Sequence, residues 1–250
     1  MDDFDEKVQF EVKMFLQDFS KIRLLLKIHI KELPLAADKI DKIHRDCTIT
    51  NIVASSAGAV SGILTIAGLA LAPVTVGASL ALSVGGMGLG AAATVTGFFA
   101  RLVDDVSELW GISQLENVEG QLRGILKTLS KSAWEIASLV KQLSETFENI
   151  TLNFRALRML TSGSIPTTAQ INRTFRGTAL AMTKTTRISS AVGAAVAVLW
   201  EIYAIVQYSK HLSNGAKSTT AEKLREEAQH LEEKLQELSK IYLTLLEMDT

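Results

Sequence analysis

Residues Ser55–Gly90 read SSAGAVSGILTIAGLALAPVTVGASLALSVGGMGLG, an apolar run with few bulky side chains and no charge. The charge-free interval extends outward from it, from Cys47 to Ala100, bounded by Asp46 and Arg101. Ile52 to Leu71 predicts one helical arm about 30 Å long, the thickness of a bilayer's hydrocarbon core. Ala72-Pro-Val-Thr-Val-Gly offers a turn, and Ala78 to Ala100 predicts a second arm. Such a hairpin could enter a membrane without carrying charge across it, both ends staying on the side of entry. Eight Ile, Leu or Val residues in the first arm favour insertion by at most about 2.5 to 5 kcal/mol. Ser55, Ser56, Ser61, Thr65 and three glycines offset that gain, so the balance lies near zero. The side chains predicted to insert are Ile52, Ile63, Leu64, Leu69, Pro73, Leu80, Leu82, Phe98 and Phe99. Ala54, Gly58 and Gly62, then Gly86 with Gly90 and Ala93 with Gly97, recur every fourth position and predict close packing of arm on arm. The competing reading makes the same hairpin the core of a water-soluble bundle.

Around the hairpin the 250-residue chain reads as helical, with three prolines and little period-two alternation. The expected fold is all-α: amphipathic helices around a central charge-free hairpin, a second apolar helix and a C-terminal heptad helix. Val8, Val12, Phe15, Phe19, Ile22 and Leu26 predict a first helix ending before Pro34. A short helix then runs to Asp46, so residues 1–46 form an amphipathic N-terminal segment and 47–101 the hairpin. Leu115 to Leu143 continue with heptad-like spacing, a long amphipathic helix within 102–160. Thr161-Ser-Gly-Ser-Ile-Pro-Thr-Thr opens a basic linker over 161–187. The second apolar helix, Ile188 to Val206, occupies 188–210, and Ser213-Asn-Gly breaks the chain. In 211–250, Thr219 with Glu222 makes a capping box. It precedes a four-three seam through Leu224, Ala228, Leu231, Leu235, Leu238, Tyr242 and Leu245, suited to a partner helix or to self-association.

No acidic residue lies between Glu148 and Glu201, an interval holding Arg155, Arg158, Arg173, Arg176, Lys184 and Arg187. Near anionic lipid each cation is worth about 1 kcal/mol. Arg173, Arg176, Lys184 and Arg187 are the predicted lipid-headgroup contacts; pairing with the acidic terminal helices is the alternative. In the helix that follows, Ile188, Val198 and Trp200 are the predicted inserting side chains. Glu201 is the single charge in AVGAAVAVLWEIYAIV. Inside a bilayer its carboxylate must protonate or face water, which makes it the predicted pH-sensitive group; in a soluble helix it is a polar edge.

Neither chemistry nor export is signalled. A net charge of −1 gives no field for nucleic acid, and the lone Cys47 excludes an internal disulfide and reads as a small buried residue. Gly86-Met-Gly-Leu-Gly-Ala fits a dinucleotide fingerprint without the strand that must precede it. Gly215-Ala-Lys-Ser lacks the upstream glycine of a phosphate loop. His29, His44, His211 and His230 show no metal-ligand spacing. No enzymatic activity, cofactor or metal is expected. MDDFDEKVQF is no secretory signal and LEMDT no prenylation box, so an intracellular, membrane-associated protein is expected and the sequons at Asn149 and Asn172 stay silent.

GAVSGILTIAGLALAPVTVGASLAL, GMGLGAAA, FRGTALAMTK, LWEIYAIV and SKHLSNGAKSTTAEKLREEAQHLEEKLQELSKIY, in this order, resemble the apolipoprotein L family from about Ile40 to Tyr242. The resemblance implies a helical protein that binds lipids and membranes, with roles in lipid transport and lipoprotein metabolism. Some relatives are pH-controlled pore formers, and a terminal zipper-like helix can bind a partner. Insertion would map to Ile52–Ala100 and Ile188–Val206, the partner seam to Leu224–Leu245. Secreted members would place the chain on extracellular lipoproteins, but the signal peptide those members carry is not seen here.

Overall fold

The computed structural model describes residues 2–71, 78–113, 118–161, 178 and 181–248. Among these the chain is all-α, with no strand. Its helices are α1 (Asp2–Leu71), α2 (Ala78–Ser113), α3 (Val118–Thr161), α4 (Lys184–Ser213) and α5 (Thr219–Met248).

The first helix corrects the expectation at proline. α1 runs through Pro34 for 70 residues and joins the two predicted N-terminal helices to the first apolar arm. An interior proline forfeits one backbone hydrogen bond and crowds the preceding turn, at about 3 kcal/mol. Here Leu33, Ala37 and Ile40, on either side of it, are among the most buried residues of the chain. Burial of two large aliphatic side chains, at about 1.5 to 3 kcal/mol each, outweighs the lost bond. α2 likewise continues past Ala100 to Ser113, and α4 starts before Ile188 because Thr183 caps it, its hydroxyl accepting from the Thr186 amide at 3.2 Å. The predicted turn at 72–77 and the linker residues 162–177 lie outside the described residues. The break after α4 is where the sequence placed it, with Asn214 as C-cap and Gly215 at φ 95°.

Packing groups these helices into two units. One draws on α1 to His44, α2 from Ser107, and the chain from Lys217 through α5. Its core is Leu33, Ala37 and Ile40 of α1 against Ala221, Leu224 and Ala228 of α5. Farther along, Phe19 stacks on Tyr242 with ring centroids 4.3 Å apart, so the two helices run antiparallel. The N-terminus of α5 is tied down by carboxylates. Asp41 accepts from the Ser218 amide at 2.8 Å and, with Asp38, from Arg225 at 2.7 Å. Glu108 of α2 accepts from the hydroxyls of Ser218 (2.7 Å) and Thr220 (2.9 Å). Hydrogen bonds to Asp38 and then Asp41 hold the Arg225 guanidinium above its ordinary pKa. The cap is therefore Ser218 and not the predicted Thr219–Glu222 box: Ser218 Oγ accepts from the Thr220 amide at 3.1 Å. Gly111 allows α2 to approach, since a methyl there would collide with Ile40 and Thr220.

The other unit comprises α1 from Arg45, α2 to Val106, α3 from Arg123, and α4. It contains both apolar arms and the candidate site.

Candidate membrane-facing site

Five hydroxyls of the arms are bonded within the protein. Ser56, Thr65, Ser83 and Thr94 donate to the carbonyl four residues back, at 2.8 to 2.9 Å. Ser61 reaches across instead, donating to the Gly86 carbonyl at 2.6 Å. Each internal bond reduces the penalty of moving a hydroxyl out of water, and so shifts the near-zero insertion balance toward the bilayer.

The small residues divide between two interfaces. A methyl on Gly86 would lie 2.9 Å from Thr65 Oγ1 and 3.0 Å from the Ser61 carbonyl, and one on Gly90 would lie 2.8 Å from Ser61 Oγ. Ala54 sits beside Gly97. These contacts join arm to arm. Gly68, which the periodicity argument overlooked because it falls outside the Ala54–Gly58–Gly62 series, is packed against Ser79 and Ser83 in the same interface. Gly58 and Gly62 do otherwise. They face α4: Gly58 meets the Glu201 carboxylate, and Gly62 meets Val198 and the Ala194 carbonyl. A recurrence every fourth residue defines a groove on a helix but not which neighbour fills it.

This pairing turns α4 inside out. Ala191, Ala194, Val198 and its one acid, Glu201, face the first arm, while Ile188, Val192, Val196, Leu199, Trp200 and Tyr203 are 55 to 69% exposed and no residue of the helix is buried. Ile63 and Phe99 are also 55% exposed, and Ile52, Leu64, Leu82 and Phe98 are half-buried. Leu69 and Leu80 are buried within the unit, Leu69 against Met182 and Ala191, Leu80 against Ala156 and Ala181. Pro73, Arg173 and Arg176 lie outside the described residues. Lys184 is exposed, and Arg187 folds back to donate to the Met182 carbonyl at 3.2 Å. Among the described residues three helical stretches are long and apolar enough to cross a membrane: Lys13–Leu71, Ser79–Gly111 and Lys184–Ser213.

Polar groups share an open groove between the helices of this unit. A cavity of about 810 Å³ is lined by Asn51, Ser61, Thr65, Thr94, Glu201 and Tyr208, and also by the charged Arg101, Asp104, Asp105, Lys131 and Glu135. Lys131 pairs with Asp105 at 3.6 Å and Glu135 at 3.8 Å. Glu201 thus lines the same groove as these charged side chains. Burial, followed by the charges of Asp104 and Asp46, pushes the Cys47 thiol up from its usual pKa. No cluster of potential metal ligands occurs among the described residues.

Comparison with known proteins decides the family. The Apolipoprotein L family matches residues 1–240. The chain is 36% identical to human apolipoprotein L3 over 92% of its own length and 61% of the relative's. It is 33% identical to human apolipoprotein L6 (94% and 74%) and 30% identical to human apolipoprotein L1 (92% and 64%).

This chain belongs to the apolipoprotein L family.

It spans about three fifths of the length of apolipoprotein L3. No solved structure matches it. In this apolipoprotein L chain the zipper-like seam already has an occupant. Leu224 and Leu235 are buried and Leu231, Leu238, Tyr242 and Leu245 half-buried, and the helix that Leu224, Leu231 and Tyr242 meet is the chain's own α1. Any outside helix competing for the seam has to displace α1.

Proposed function

We propose that this apolipoprotein L protein binds lipid at membrane surfaces and inserts its apolar hairpin conditionally. The supporting observation is α4, a 30-residue helix with no buried residue and its large apolar side chains turned outward. A water-soluble fold loses about 25 cal/mol for each Å² of apolar surface left in water, and contiguous exposed apolar faces of this size mark interaction surfaces. Lipid is the solvent that suits this face, and the hydroxyls of Ser56, Ser61, Thr65, Ser83 and Thr94 in the arms are already bonded within the protein. Cations such as Lys184, with the arginines of the acid-free interval, favour anionic headgroups. By likeness to its relatives the protein acts in lipid transport and lipoprotein metabolism, on intracellular membranes; lipoprotein particles are the extracellular alternative. Flotation with phosphatidylcholine–phosphatidylglycerol vesicles at pH 5 and pH 7 tests the reading: co-flotation under at least one condition is expected, and none under either removes it.

The groove favours a second reading, a pH-dependent ion path, since Glu201 and other polar side chains line it beside the outward apolar faces of the unit. Planar-bilayer recording checks it. Glu201→Gln should change the pH response, and an unchanged response rejects the assigned role.

A further inference from the structure

α3 carries an apolar line that its own unit leaves open. Asn153 and Ala156 are buried, and Leu139 and Leu157 half-buried, on the side that packs. Beside them, Ile136, Val140, Phe147 and Phe154 step by four and seven residues, which keeps them in one row along the helix. They are 43, 60, 61 and 60% exposed. At about 1.5 Å per residue the row is about 27 Å long. Lys141 and Arg155, both exposed, flank it, Arg158 follows Phe154 by one turn, and no acidic residue occurs from 149 to 200.

We propose that α3 lies in the headgroup plane of an anionic membrane, its Phe147–Phe154 side facing the acyl boundary and its cations facing lipid phosphates. The geometry of charge separates this role from spanning. Lys131, Glu135, Lys141, Glu145, Glu148 and Arg155 interrupt the helix throughout, and among the described residues none of the stretches apolar enough to cross lies in α3. An amphipathic helix of this kind binds along the surface, by partial burial of one face together with attraction to anionic lipid. Aromatic side chains suit that depth, being apolar bodies that tolerate the interface. The inference rests on the membrane reading above and adds an element that touches the bilayer without crossing it.

The test uses the full chain in a W110F/W134F/W200F background, with a single reporter at either F147W or L64W. Vesicles of phosphatidylcholine and phosphatidylglycerol carry bromine either near the headgroup or deep in the acyl chain. F147W quenched by shallow bromine and not by deep bromine is the expected result. In otherwise native protein, F147S/F154S should lower vesicle partitioning at least about tenfold, with circular dichroism unchanged because both side chains are exposed. R155Q should lower it about fivefold on anionic vesicles only. If F147W is not quenched while L64W is, the α3 inference falls and the hairpin reading stands. If neither is quenched and nothing co-sediments, both fall. Deep quenching of F147W overturns the surface placement. Loss of self-association in F147S/F154S with vesicle binding intact also overturns it, assigning the row to contact between copies.

Discussion

Leu224→Ala is the substitution that separates an internal seam from one kept for another protein. Leu224 is fully buried against Leu33, Ala37 and Ile40, with Ala221 and Ala228 beside it on its own helix. Truncating a buried leucine costs about 2 to 5 kcal/mol. The alanines around this one leave few large side chains to collapse into the space, so about 3 kcal/mol is expected here. Arg225→Ala makes the internal comparison. Its side chain is 34% exposed, and Asp41 keeps the Ser218 amide as a partner after the change, so about 1 kcal/mol is the expected loss. Because the chain forms two units, local opening is the proper measure, not a single global unfolding curve. Native-state hydrogen exchange across 219–235 should accelerate more than about a hundredfold in L224A and about fivefold in R225A. If L224A left exchange in α5 of the isolated protein unchanged, the α1–α5 seam described here would be wrong.

Four further outcomes follow from single positions. Gly86→Ala should destabilise by about 1 to 3 kcal/mol, because its methyl meets the Ser61 backbone. Gly88→Ala, with nothing within 4 Å, should be neutral or stabilising by about 0.5 to 1 kcal/mol; thermal midpoints of the pair show whether arm contact is the cause. Pro34→Ala restores a missing backbone bond in a helix that already runs through the position, so exchange across 30–38 should slow, by up to about 3 kcal/mol of local stability. Cys47, 6% exposed and with its thiol pKa raised, should alkylate slowly at neutral pH and faster as the solution becomes alkaline. The raised value means the folded state favours the neutral thiol. That contribution is complete below the unfolded pKa and is lost as pH rises through the folded one. Alkylation at the rate of a free thiol at neutral pH would contradict this burial.

The apolar arms, the break after α4 and the seam on α5 were legible in the sequence because each depends on composition or period along one helix. Pro34 shows where such reasoning stops. A local rule ends the helix there, and burial of Leu33 and Ile40, a property of the folded unit, carries it on. Ser218 was missed as the cap because its hydroxyl and amide are held by Glu108 and Asp41, residues 110 and 177 positions away. The apolar row on α3 was visible as spacing, but whether a neighbour covered it was not.

Sequence alone determined that this is an all-α protein of the apolipoprotein L family with a charge-free hairpin, since helix period and charge distribution are properties of the chain itself. Tertiary structure decided the partners: Gly58 and Gly62 with α4, Gly86 with the first arm, and the α5 seam with α1. A helix face records in sequence what it can pack against by size and polarity. Which surface arrives there is a choice among several of similar shape, fixed only when all helices compete for the same contacts.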